Sequence, residues 1–147
     1  MLKKVKDFYK KLSQVQPREG KDIGLICLGD YDLSEIVSSI PESNKTALFE
    51  LNKETVSAEL IKEIADLFEH KKKTILILRL HDYLSPKIYN QLYLISRSRK
   101  MDFSYLEEDV YTKISSDTQI ILVTTEEELE NLNYDNLLNL VGPVLRL

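Results

Sequence analysis

The sequence predicts an α/β domain with a doubly wound, mainly parallel sheet of about five strands and helices on both faces. Three observations support this: short uninterrupted apolar runs, amphipathic helical stretches between them, and a length of 147 residues, which suits one domain. Runs that are apolar on both faces are typical of central parallel strands. Because such runs alternate with helical patterns, right-handed β–α–β units are expected. We expect a single domain over residues 1–147, with 1–20 as an N-terminal helix and connection.

The first element is predicted to be a basic amphipathic helix over the first sixteen residues. Its apolar residues recur at three- and four-residue spacing, and lysines occupy the remaining positions. Pro17 and Gly20 then interrupt the pattern. The apolar face must be buried against either this domain or a partner. The lysines are Lys3, Lys4, Lys6, Lys10 and Lys11.

The later elements follow in alternation. Helices are expected after residue 30, where Pro41 ends the first of them, over residues 55–70, and from Ser85-Pro86 to about residue 99. Residues 126–140 are expected to form a helix or a turn. Residues 101–117 fit a short strand or a loop that packs back. Strands are predicted at 23–28, 47–51, 74–80, 119–124 and 143–147.

Composition narrows the class of protein. An apolar fraction of 43% and a charged fraction of 30% exclude a disordered tail. A net charge of −4 argues against binding of nucleic acid or anionic membrane through the overall charge of the protein. The single cysteine, Cys27, lies in an apolar run, which indicates a buried structural thiol and a reducing compartment. No apolar run is long enough to span a bilayer, and no secretory signal is recognisable. We expect a cytoplasmic protein without membrane contact. Heavy use of Lys, Glu, Ile and Leu is also compatible with heat adaptation.

Ligands of doubly wound sheets bind at the carboxyl ends of the strands. The polar residues that follow the predicted strands are therefore candidate contacts for a nucleotide or another small ligand. We single out Gly29, Asp30, Asn52 and Thr124.

These segments resemble the core of the AAA+ ATPases. TILILRLHDYLSPKIYNQL is similar to the Walker B strand and its following helix, QIILVTT to the sensor strand, and IGLICLGD to the first strand leading into the phosphate loop. PVLRL resembles the last core strand. The resemblance covers residues 21–147 and implies a P-loop NTPase fold.

The residues that would hydrolyse ATP are missing from this pattern. A phosphate loop needs several glycines and a lysine, whereas residues 29–34 offer one glycine, two aspartates and no lysine. At the Walker B position the family's Asp-Glu is replaced by Arg79-Leu80. Thr124 or Thr125 could fill the sensor position. The resemblance therefore implies a degenerate domain without ATP hydrolysis or cofactor.

We accordingly expect a non-catalytic AAA+-like domain that acts as a protein-interaction or regulatory module. Its partner would be an active ATPase, a replication or transcription assembly, or a second copy of the chain. One alternative is a Rossmann-like module binding a nucleotide or small ligand through the four contacts named above.

A second alternative is nucleic-acid binding. The N-terminal lysines together with Arg97, Arg99 and Lys100 would contact phosphate, although a solvated helix end also explains the latter three. A metal site is not expected, because no Cys/His cluster exists. Asp30, Asp32 and Asp82 could together hold a cation for hydrolysis, but an Asx-turn and helix N-cap are the more ordinary roles for the first two.

Overall fold

The computed structural model describes residues 2–14, 23–29, 31–39, 45–51, 74–81, 84, 86, 89–90, 92–94, 100–102, 111–113, 119–132 and 134–147. Its centre is a five-stranded sheet in which every neighbouring pair is parallel. The doubly wound, mainly parallel sheet predicted from the sequence is therefore confirmed. The strands of this sheet are β1 (Ile23–Leu28), β2 (Lys45–Leu51), β3 (Thr74–Leu80), β6 (Gln119–Thr125) and β7 (Val141–Arg146).

A second, antiparallel pair of short strands lies between β3 and β6 in the chain. These are β4 (Lys100–Asp102) and β5 (Tyr111–Lys113), with Met101 opposite Thr112. They fall in the segment where the sequence indicated either a short strand or a loop that packs back.

The helices are α1 (Leu2–Gln14), α2 (Leu33–Ser38), α3 (Glu126–Leu129) and α4 (Tyr134–Leu138). Residues 86, 89–90 and 92–94 are also helical. The helix predicted over 55–70 lies outside the described residues. The predicted helix or turn over 126–140 contains the two short helices α3 and α4.

The strand order is β2-β3-β6-β1-β7. The chain leaves β1 for the far edge at β2, returns through β3 to β6 beside β1, and then passes to β7 on the other side of β1. The order thus reverses around β1 and β6. The carboxyl ends of β3, β6 and β1 consequently form the edge at which doubly wound sheets bind ligands.

The N-terminal helix packs on the sheet of its own domain. Val5, Phe8 and Leu12 of α1 are at most 4% exposed and belong to the core on one face of the sheet. Burying side chains of this size contributes about 1.5–3 kcal/mol each. Burial also raises the pKa of the Tyr9 hydroxyl to about 12. The apolar face of α1 therefore has its partner within this domain.

Gly24 of β1 allows α1 to approach this closely. A Cβ atom at residue 24 would lie 2.6 Å from Cζ of Phe8 and 3.2 Å from Cδ2 of Leu12, which is closer than van der Waals contact. The need for glycine here is steric, because the aromatic ring occupies the space of the missing side chain.

The alternation of side chains along each strand produces two buried faces. One face joins α1 and α2 to the sheet through Ile26, Ile36, Ile77 and Val123, among others. The opposite face carries a second set of fully buried strand residues. This set includes Ile23, Leu25, Leu76, Leu78, Ile120 and Leu122.

The last strand begins two residues earlier than the sequence predicts. Val141 pairs with Ile23 and Val144 with Leu25, so β7 contains one extra residue where it passes Gly142 and Pro143. A strand at the edge of a sheet accommodates proline and a bulge, because one side of its backbone has no partner strand.

No helix among the described residues is long and apolar enough to cross a membrane.

Candidate functional site at the carboxyl edge of the sheet

The site is formed where β3 and β6 end side by side. Arg79 lies opposite Val123 in the parallel register, and His81 follows the end of β3 directly. Thr125 ends β6 and is the N-cap of α3, which carries Glu128 in its first turn. We call Arg79, His81, Thr125 and Glu128 the edge cluster.

Both carboxylate oxygens of Glu128 have partners within the edge cluster. Arg79 Nη2 donates to Oε1 at 2.5 Å, and Thr125 Oγ1 donates to the same oxygen at 2.9 Å. His81 Nδ1 lies 3.1 Å from Oε2. Arg79 also donates through Nη1 to the backbone carbonyl of Leu80. The side chains of the edge cluster are therefore paired with one another.

The environment holds Glu128 in its ionised form. Partial burial raises the pKa of the carboxyl group, but hydrogen bonds from Arg79 and Thr125, with the nearby charges of Arg79 and His81, outweigh it. The net result is a pKa below the ordinary value. The side chains of Arg79 and Glu128 are only 13% and 21% exposed, so solvent screens this pair less than a surface pair.

Thr125 fixes the position of Glu128 through the cap of α3. Its hydroxyl oxygen accepts from the backbone N–H of Glu128 at 3.1 Å while donating to the side chain of the same residue. A threonine followed three residues later by glutamate is the sequence signature of a helix start. Our sequence prediction did not use this signal, and it is the one that would have located Glu128.

A second ion pair lies at the β7 side of the same edge. Arg146, at the end of β7, places Nη1 3.3 Å from Oε1 of Glu126, which begins α3. Because both side chains are half exposed, this pair contributes little to stability. Two carboxylates of one short helix thus pair with arginines from two different strands.

The main chain of Leu147 approaches the carboxyl end of β1 closely. The backbone N–H of Leu147 donates to the carbonyl of Cys27 at 3.0 Å. A Cβ atom at residue 29 would overlap the Leu147 carbonyl group and lie 2.8 Å from its carbon. Glycine at this position therefore serves the close approach of Leu147.

The structure places two of the four predicted ligand contacts. Gly29 is exposed and lies beside the Leu147 carbonyl group, whereas Thr124 is fully buried with a hydroxyl that has no hydrogen-bond partner. It is Thr125 that belongs to the edge cluster. Asp30 and Asn52 lie outside the described residues.

Asp32 occupies the N-cap position of α2. Its backbone carbonyl accepts from the N–H groups of Glu35 and Ile36, but its side chain makes no cap hydrogen bond. Asp30 and Asp82, its proposed partners in a cation site, lie outside the described residues. Among the residues that the structure does describe, no three His, Cys, Asp or Glu side chains are grouped to hold a metal.

The predicted basic residues divide into two groups. All five lysines of α1 are exposed. Lys100 lies in β4, on a different element from α1, and Arg97 and Arg99 lie outside the described residues.

A separate cleft opens between the helical segment around residue 90 and α4. Its volume is about 340 Å³, and Tyr89, Asn90, Asn131 and Asn136 supply its polar wall. The Tyr89 hydroxyl donates to the Asn136 carbonyl at 3.3 Å. No member of the edge cluster lines this cleft, and its described lining residues carry no charge.

No protein-family model matches the chain, and no curated protein matches it in sequence. The fold, in contrast, is similar to solved structures of NtrX from Brucella abortus. The complex with ATP superposes with a TM-score of 0.55 at 13% sequence identity, covering 97% of this chain and 35% of NtrX. The complex with ADP gives a TM-score of 0.55 at 14% identity, covering 96% and 34%. This chain thus spans about a third of the length of the proteins that it resembles. At such identity the likeness concerns the fold alone, and the chain has an α/β fold that resembles the AAA+ fold.

Proposed function

We propose that this chain is a non-catalytic AAA+-like domain that acts as a protein-interaction or regulatory module. The observation that carries the proposal is the pairing of Glu128: both of its carboxylate oxygens are occupied by Arg79, Thr125 and His81. A carboxylate whose two oxygens are both engaged by neighbouring side chains is poorly suited to polarise a water or to hold Mg²⁺.

Phosphoryl transfer to water depends on positioned metal ions, a water-orienting group and donors that neutralise the phosphates. At the edge where these groups would stand, β3 presents the guanidinium of Arg79 in place of a carboxylate. The Leu147 carbonyl group lies close to Gly29, and its oxygen would repel a phosphate. This proximity argues against phosphate binding at Gly29.

The alternative of a small ligand at the same edge draws less support. Of its four contacts, Thr124 is 0% exposed, and Gly29, although exposed, has the Leu147 carbonyl oxygen close by. These placements favour the interaction module over the ligand-binding module.

Two exposed strands supply surfaces on which a partner could dock. β2 and β7 are the outer strands of the sheet, and Leu48 and Val144 on them are 44% and 38% exposed. Outer strands recruit extended segments of other proteins through their unpaired backbone groups. The partner classes that we propose are an active ATPase, a replication or transcription assembly, or a second copy, in the cytoplasm.

The proposal that the domain does not hydrolyse ATP is tested by measuring turnover. Purified protein is incubated with labelled ATP and Mg²⁺, and phosphate release is compared with that of the E128Q variant. E127Q is the matched control, because Glu127 is an exposed neighbour on the same helix. We expect all three proteins to give only the background rate. Turnover that is lost in E128Q and kept in E127Q would refute the proposal.

The interaction half is tested by quantitative co-purification from the source cell. L48K and V144K each place a charge on one outer strand, while E127K changes charge on α3 and serves as the control. We expect at least one protein to be enriched with the wild type and E127K and depleted with one strand variant. Equal enrichment with all four chains would remove the strands as docking surfaces.

A further inference from the structure

The exposed side of α1 is the most strongly charged surface on the described helices. Within thirteen residues it carries five lysines against one aspartate, Asp7, whereas the whole chain has a net charge of −4. A quarter of the chain's 20 Lys and Arg residues thus lie in this one helix. We call this surface the lysine face.

Helical geometry arranges the lysine face in rows. At about 100° per residue, Lys3 and Lys10 fall on one line and Lys4 and Lys11 on a second, each pair about 10 Å apart along the axis. Asp7 lies between the two lines. The lysines therefore point away from the buried side of α1, along most of a helix about 20 Å long.

Because the apolar side of α1 is buried in the domain, we can compare three classes of anionic partner for its exposed side: membranes, proteins and nucleic acids. Helices that bind membrane surfaces insert an apolar face into the lipid, but here Val5, Phe8 and Leu12 are buried in the domain core. Protein interfaces rely on buried aromatic or apolar anchors and are depleted in lysine. Over residues 3–12, where the structure describes side-chain exposure, the exposed residues of α1 are all charged. Contacts to a phosphate backbone, in contrast, require only positive charge in the correct place.

We propose that the lysine face of α1 binds the phosphate backbone of nucleic acid without reading its sequence. The inference depends on α1 alone and holds whether or not the proposed function is correct. If three or four lysines each neutralise one phosphate of a duplex, the logarithm of the binding constant should fall with that of the salt concentration with a slope of roughly −3 to −4.

The test is fluorescence anisotropy with a labelled duplex of about 20 base pairs and mixed sequence, between roughly 25 and 200 mM salt, where this dependence is large. We expect K4Q to reduce the slope by about one and K4Q/K11Q by about two, while K4R/K11R binds like the wild type.

D7N should bind more tightly, because it removes the one carboxylate of the face. R146Q removes a positive charge from β7 and should leave the slope unchanged. Glutamine is nearly as good a helix former as lysine, so the variants should keep α1 folded, which circular dichroism verifies.

Two further arms test the class of partner: phosphatidylserine vesicles and a polyglutamate peptide at the same salt concentrations. Tighter binding of the chain to either one than to the duplex would overturn the inference. A flat salt titration, or equal slopes for the wild type and K4Q/K11Q, would overturn it as well. A slope that falls by about one per lysine removed, with the duplex as the tightest ligand, would establish it.

Discussion

Arg79 and Glu128 are 49 residues apart in the chain, yet Nη2 of the arginine lies 2.5 Å from Oε1 of the glutamate. The pair connects the end of β3 to the helix that follows β6. It joins the carboxyl ends of two neighbouring strands, at the edge where doubly wound sheets bind ligands.

The Arg79–Glu128 pair should contribute measurably to stability. Hydrogen bonds to charged groups contribute about 1.5–3 kcal/mol, so R79M and E128Q should each lower the free energy of unfolding by about 1–3 kcal/mol. In a double-mutant cycle the two changes should be coupled by about 0.5–3 kcal/mol. Urea denaturation measures all four proteins. E127Q, on the exposed side of α3, should stay within about 0.5 kcal/mol of the wild type. Strictly additive effects of R79M and E128Q would show that the pair does not act as a unit.

The pH dependence of stability should report the ionised state of Glu128. Because the folded state lowers the pKa of this carboxyl group below its ordinary value of 4.5, its contribution is complete above that pH. The contribution is lost as the pH falls through the lower, folded-state value. The difference in unfolding free energy between the wild type and E128Q should therefore be largest near neutral pH and shrink below 4.5. A difference that stays constant down to acid unfolding would contradict the assignment.

The contact between α1 and β1 makes a steric prediction at Gly24. G24A adds a methyl group 2.6 Å from Cζ of Phe8, and overpacking of this kind costs about 1–3 kcal/mol. F8L shortens the opposing side chain and, in the G24A background, should recover part of the loss. The free energies of unfolding of the two single variants and the double variant, measured by heat and by urea, test this prediction. If G24A is as stable as the wild type, or the double variant is worse than the sum of the two, α1 does not pack on Gly24 as described.

Cys27 should be inert in the folded protein. Burial raises the pKa of its thiol, the charge of Glu126 raises it further, and Arg146 only partly opposes this. Since the chain has one cysteine, a chromogenic disulfide reagent should detect no fast thiol in native buffer and one equivalent in urea. Fast labelling of the native protein at neutral pH would mean that the β1 thiol is accessible.

The strands were predictable because both faces of the sheet are buried, so that consecutive residues of each central strand are apolar. TILILRL and QIILVTT each contain an uninterrupted run of four apolar residues, and the structure buries these runs, Ile75 to Leu78 and Ile120 to Val123, completely or nearly so. The start of β7 was misplaced because Gly142-Pro143 is a common strand breaker. Only the position of β7 at the edge of the sheet explains why the strand continues through that pair.

The edge cluster was only partly predictable. The family resemblance draws attention to Arg79 because it aligns this residue with the Walker B position, and Thr125-x-x-Glu128 carries its own helix-start signal. That these two segments meet depends on β3 and β6 being neighbours, and adjacency of strands is a property of the whole sheet. The approach of Leu147 to Gly29 has the same origin, since β7 reaches β1 only through the final strand order.

The most direct test of the account is the unfolding free energy measured with and without Mg²⁺-ATP. A ligand that binds only the folded state stabilises it, by about 2.7 kcal/mol when its concentration is about a hundred times the dissociation constant. With Glu128 paired to Arg79 and the Leu147 carbonyl group close to Gly29, we predict no change in unfolding free energy at about 1 mM nucleotide. A stabilisation of about 2.7 kcal/mol, corresponding to a dissociation constant of about 10 μM, would contradict it.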